Sequence, residues 1–235
     1  MRIGELLSES LVQELERIPA GTFAGGKDTL SRDSNKPKQL FKLPGYPGLS
    51  YSIENMPHAI IKLWAPNVTA RVGNKLVQVP IGKLTLNQEG FPIKGALEVD
   101  SITIDEDYQG KGLAKALYSI VLKVLKRPLI AGSSQTPGGR RNWVSISQMP
   151  GVQVYGYTMI DDSDLDDDLI DEVMGKIGGD YMGDSGGYHF FRFNVRPDMT
   201  GQELASYVNT KAIQLYGDGW DPAIGGLYAI WTGQQ

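Results

Sequence analysis

The 235-residue chain contains no cysteine. That excludes disulfides, thiolate metal sites and a cysteine nucleophile, and it fits a reducing compartment. Histidine is nearly absent too: only His58 and His189 occur, and neither stands near a catalytic-serine motif, so a Ser/His/Asp hydrolase is not expected. No apolar run approaches the ~20 residues that span a bilayer. Met1 to Pro19 lacks the apolar stretch of a signal peptide. These absences point to a cytoplasmic protein with no membrane partner. Basic excess is missing as well. Lys and Arg number 23 against 27 Asp and Glu, a formal net charge of −4, which argues against a nucleic-acid partner. No metal site is expected. In the acidic run Asp161–Glu172, Asp162, Asp164 and Asp166 alternate as in a calcium loop. Asp167, however, stands where such a loop needs glycine, and Val173 where it needs a bidentate glutamate. The run reads as a solvated helix start.

What is present is a hydrophobic content of 41%, enough for one substantial core. Ile3, Leu6, Leu7, Leu11, Leu15 and Ile18 share one helical face, and Pro19 ends that helix. It either docks on the domain or tethers a protein partner. Residues 20–48 are rich in Gly, Pro, Lys, Ser and Asn and read as an arm. Strands are expected over residues 51–54, 58–64, 75–79, 81–86 and 96–104, with a hairpin turn at 87–90. Further strands are expected at 129–131, 152–157, 189–195 and 227–231. A helix entry lies over 132–143. A second helix is expected over 200–216, opened by Thr200 and Glu203 as a capping box. Gly175 to Gly187 reads as a mobile glycine-rich stretch.

The most informative segment follows the strand 96–104. It runs Asp105-Glu106-Asp107-Tyr108-Gln109-Gly110-Lys111-Gly112-Leu113-Ala114, and then Leu113, Leu117, Ile120, Val121, Val124 and Leu125 recur at helical spacing. A strand, a glycine-bearing loop and a helix aim unpaired backbone N–H groups and a helix dipole at one place, which suits a phosphate. The two glycines leave no side chain in the way. A dinucleotide fingerprint is not met, since Lys115 replaces its third glycine, and no P-loop is present.

The pattern Gln109-x-x-Gly112-x-Ala114, with its strand and helix, resembles the pyrophosphate loop of the GNAT superfamily of N-acetyltransferases. The resemblance is strongest over residues 84–125 and extends to Tyr157. It implies an α/β (α+β) fold with a mixed, mostly antiparallel twisted sheet flanked by helices. The expected organisation is an amphipathic helix and arm over 1–45, then a GNAT-like domain over 46–235 with an acidic, glycine-rich insertion around 161–187. A compact domain with an appended helix also suggests a virus- or phage-encoded member.

The resemblance further implies acetyl-coenzyme A as co-substrate and a primary amine as acceptor, on a small molecule, a protein lysine or a protein N-terminus. Ile102, Thr103 and Ile104 match the strand beside the pantetheine arm. Gln109, Gly110, Lys111, Gly112, Leu113 and Ala114 match the loop, and Ser133, Ser134, Gln135 and Asn142 are stand-ins for a polar residue near the pantetheine, Ser134 the chosen one. Acetyl transfer needs an amine that loses its proton, a stabilised oxyanion and a leaving thiolate. Glu98 matches the family's catalytic glutamate. Asp100 lies on the same face if the strand is regular, and either shares the base role or grips a cationic acceptor. Tyr155 is the candidate acid, with Tyr157 the alternative. Gly138-Gly139-Arg140-Arg141 reads either as a basic nest or as a solvated turn. A non-catalytic binding protein with a GNAT-like domain is the alternative to the enzyme.

Overall fold

The computed structural model describes residues 39–54, 58–72, 74–88, 93, 95–132, 137–161, 171, 174–175, 180–185, 188–194 and 225–233. The expected N-terminal helix, Ser134, the acidic run beyond Asp161 and the capping-box helix lie outside the described residues. The chain divides into two compact units, Met1–Asn87 with Asp100–Leu117, and Gln88–Val99 with Tyr118–Gln235.

The first unit is built on antiparallel strands β1 (Phe41–Lys42), β2 (Ser50–Glu54), β3 (His58–Trp64) and β6 (Gly82–Asn87), in that order. Register pairs Ile53 with Ile61 and Ile61 with Leu84. Side chains alternate across a strand, so Tyr51, Ile61, Leu63, Leu84 and Leu86 enter the core together. The opposite face of β2 and β3 buries polar groups in pairs. Lys62, 2% exposed, donates to Glu54 Oε1 at 2.8 Å, and Trp64 Nε1 donates to Ser52 Oγ at 2.8 Å. Pairing is what makes such burial tolerable. A separate hairpin, β4 (Thr69–Val72) with β5 (Lys75–Gln78), packs Val68, Ala70 and Val77 around Val79. Its first strand was not expected from the sequence.

In the second unit, the first two residues of β7 (Leu97–Ile104) pair in parallel with β8 (Leu129–Ile130). Beyond β8 come β12 (Gly225–Trp231), β9 (Val152–Asp161), β11 (Tyr188–Asn194) and β10 (Asp180–Ser185), each antiparallel to the last. The result is the mixed, mostly antiparallel sheet with helices that was expected. Helix α2 (Pro137–Ser147) opens on a proline, which suits the first helical position because its missing N–H has no partner there anyway. Trp143 and Ile146 are buried, and the Trp143 ring packs on Tyr118 with centroids 6.1 Å apart.

Three readings are corrected. The run Gly138–Arg141 is neither nest nor turn but the first turn of α2, held by Pro137 before it and the buried Trp143 after it. The stretch from Gly175 to Gly187 supplies strand β10, whose Asp180 accepts from Arg192 Nε at 2.7 Å and whose Tyr181 ring meets Phe191. Its glycines hid the alternation. The helix expected through Leu125 is α-helical only as α1 (Leu113–Ser119) and continues as a π turn over Ile120–Val124, with Leu125 N–H on the Ile120 carbonyl at 2.9 Å. Ile120, Val121 and Leu122 are all buried, and three successive residues sweep more than one regular helical stripe.

Gly132, just past β8, has no room for a side chain, since a Cβ there would lie 2.3 Å from the Val99 carbonyl oxygen. Gly132→Ala is expected to cost about 1–3 kcal/mol by overpacking. That lowers the melting temperature by roughly 3–10 °C for a chain of this size, as calorimetry would show.

Candidate functional site

The loop after β7 begins at Asp105, whose buried carboxylate accepts the Asp107 N–H at 3.1 Å and caps a 3₁₀ turn over Glu106–Tyr108. Tyr108 is buried as the turn's anchor, and Lys111 Nζ lies 5.5 Å above its ring, so the lysine packs over that ring. Gln109 Nε2 donates to the Ile104 carbonyl at 3.0 Å. This explains why an amide serves at the first position of the motif: it ties the loop back to the end of its own strand.

Gly110 and Gly112 both have φ of +75°, the left-handed region that disfavours side chains. Nothing lies within 4 Å of where a Gly110 Cβ would be. The Gly112 carbonyl accepts the Ala116 N–H at 3.0 Å, which places Gly112 at the N-cap of α1. The following N–H groups have no intrahelical acceptor. Leu113 turns into the core while Gly110 and Gly112 stay exposed. The loop is therefore an open, pre-shaped backbone cradle. Its residue types fit a diphosphate, because any Cβ would fill the space the anion needs.

Within the second unit, Glu98 is half-buried on β7 and pairs with Ile130. Across the sheet from Ile130 lie Tyr228 and then Tyr155. The next row sets Gly226 beside Tyr157, then Arg192 and Asp180. Tyr155 stacks on Tyr228 at 5.2 Å, carries the Arg192 guanidinium 4.9 Å over its ring, and donates its hydroxyl to Gln153 Oε1 at 2.6 Å. Tyr157 lies flat across Gly226, where a Cβ would meet its ring and hydroxyl at 2.9 to 3.1 Å. Burial, and secondarily the charge of Glu98, push its phenol up to about 12. The Glu98 charge thus reaches Tyr157, and Gly226 is what lets its ring cross the sheet. A glycine inside an apolar strand was the available signal for such an approach.

Asp100 is exposed, and so is Ser101 after it. Strict alternation lapses there, and the two carboxylates differ in environment. Ile102, Thr103 and Ile104 are half-buried along β7. Trp143 is a core residue. Among the described residues no group of three acidic or histidine side chains is placed to hold a metal, and no helix is long and apolar enough to cross a membrane.

Residues 45–133 match the model of the Acetyltransferase (GNAT) family. The matched stretch includes β7, the glycine loop and β8, and members of that family transfer acyl groups from acetyl-coenzyme A. Among solved structures, the chain is similar to an IAA acetyltransferase from Bacillus cereus ATCC 14579, at 14% identity and a TM-score of 0.27, over 59% of this chain and 78% of that one. No curated protein matches the sequence.

Tyr108, Tyr118 and Tyr157 all have phenols pushed from 10.0 up to about 12, burial being the first cause in each. A folded-state pKa above the unfolded one stabilises the fold fully below pH 10, and that contribution is lost as pH rises through 12. A phenolate absorbance titration is expected to show late-ionising tyrosines and stability falling between pH 10 and 12. Complete titration near pH 10 with the fold intact would contradict this packing.

Proposed function

We propose that the chain is an acetyl-coenzyme A-dependent N-acetyltransferase that acts on a primary amine by direct attack. The observation that carries the reading is the cradle: two positive-φ glycines, the Gln109 clamp on Ile104 and the first-turn N–H groups of α1, all inside the family match. The diphosphate would sit on these backbone groups. Ile102, Thr103 and Ile104 would run beside the pantetheine.

Glu98 is the proposed general base. It is half-buried near the start of β7, where an acceptor's proton could reach its carboxylate. The acceptor's proton passes to Glu98, the amine nitrogen bonds to the acetyl carbon, and the thiolate leaves. Tyr157 remains protonated up to about pH 12, so it serves as a hydrogen-bond donor beside Glu98 rather than as a base. That placement favours Tyr157 over Tyr155 as the proton donor, since the Tyr155 hydroxyl is engaged with Gln153. Glu98 and Asp100 together favour a cationic acceptor, and the cytoplasm is the proposed compartment.

Gly112→Asp puts a side chain and a negative charge where the diphosphate belongs. Calorimetric titration is expected to show acetyl-coenzyme A binding by the wild type and none by this variant. Glu98→Gln is expected to bind the co-substrate normally while turnover, followed by thiol release over an amine panel, falls by about 10²–10⁴. Binding without turnover of any amine by the wild type would instead favour a non-catalytic binding protein.

A further inference from the structure

We propose that the loop over residues 42–50 is a second wall of the coenzyme site, with Tyr46 donating a hydrogen bond to the diphosphate and Lys42 meeting the 3′-phosphate of the nucleoside in the adjoining cavity. The inference rests on the cradle reading above and deepens it.

The loop lies in the same unit as the cradle. Its Tyr46 hydroxyl sits 2.8 Å from where a Gly112 Cβ would be. A phenol therefore hangs directly over the glycine whose missing side chain opens the cradle. Burial raises the Tyr46 pKa, so the group stays a neutral donor and adds no negative charge against an anion. The loop is pre-formed. Leu43 N–H bonds the Leu49 carbonyl at 3.0 Å, Leu49 N–H the Tyr46 carbonyl at 3.1 Å, and Tyr46 N–H the Leu43 carbonyl at 3.2 Å. Gly45 and Gly48, with φ of 77° and 81°, supply the turns, while buried Leu43 and Leu49 anchor both ends.

Around this loop lies a cavity of about 570 Å³, lined by Lys42, Tyr46, Pro47 and Ser50 among others. Sites of ~300–1,000 Å³ take small ligands. In acetyl-coenzyme A the diphosphate is bonded to a nucleoside that carries a 3′-phosphate. On this reading the nucleoside continues from a diphosphate on Gly110–Ala114 toward Tyr46, whose hydroxyl lies against Gly112 and whose ring lines the cavity. Among the described residues, Lys42 is the cation lining the cavity, and an ammonium is a suitable point charge for a phosphate.

The test is calorimetric titration of the full chain with acetyl-coenzyme A and its 3′-dephospho form. Tyr46→Phe keeps the ring and removes the donor. It is expected to weaken both ligands about 10- to 100-fold, the loss of a hydrogen bond to a charged group. Lys42→Ala is expected to weaken acetyl-coenzyme A but not the dephospho ligand. Wild-type affinity in both variants, with Gly112→Asp still non-binding, would overturn the second wall and leave the cradle standing. Equal loss of both ligands in Lys42→Ala would overturn the 3′-phosphate assignment. A wild type that binds neither ligand would overturn the cradle and this inference together.

Discussion

Among the described residues, strand β7 has a parallel neighbour at two positions. Leu97 and Glu98 pair with Leu129 and Ile130; then Gly132 turns against the Val99 carbonyl, and β7 runs on to Ile104. One strand is thereby given two roles. Its start is locked in a ladder and fixes Glu98. Its later part leads into a loop whose backbone must be shaped locally, which the Asp105 cap, the Tyr108 anchor and the Gln109 clamp accomplish. Parallel strands need a crossover between them, and here the crossover contains the cradle. The glycine loop is thus a consequence of how two neighbouring strands are connected.

The second unit arranges its polar aromatics by the same economy of space. Tyr155, Tyr157 and Tyr228 share one sheet face because they fall on alternate residues of β9 and opposite one another on β12. A side chain at 226 would fill the space that Tyr157's ring now crosses. A small residue on one strand therefore decides where a phenol on its neighbour points, and that phenol meets the field of Glu98. Arg192 joins the cluster through its contact with the Tyr155 ring and its bond to Asp180.

Much of this was legible in the sequence where local chemistry dictates structure. The strand, the loop glycines and the helix start were readable because positive φ has few substitutes for glycine and because apolar periodicity is strong from Leu113 onward. The strands expected from alternation at 51–54, 58–64, 81–86 and 96–104 are found at 50–54, 58–64, 82–87 and 97–104. What was not legible depends on partners distant in the chain. β4 carries too little alternation over four residues to stand out. β10 is masked by its glycine and recognisable only from its pairing with β11. The π turn follows from three successive buried residues, which depends on packing. Tyr157 and Tyr155 are equivalent in sequence, and their difference comes from neighbours in the fold: Gly226 beneath the Tyr157 ring, and Gln153 and Arg192 on Tyr155. Tyr46 carries no motif, and its place over Gly112 comes from the fold of the β1–β2 turn.

The account turns on backbone N–H groups at 109–114 holding a diphosphate, so those amides are the place to look. Hydrogen exchange of the full chain, with and without acetyl-coenzyme A, reads them directly. The account predicts that the ligand slows exchange at Gly110 through Ala114, with smaller changes in β10 and β11. Unchanged exchange across that loop at saturating ligand, with protection elsewhere, would contradict it.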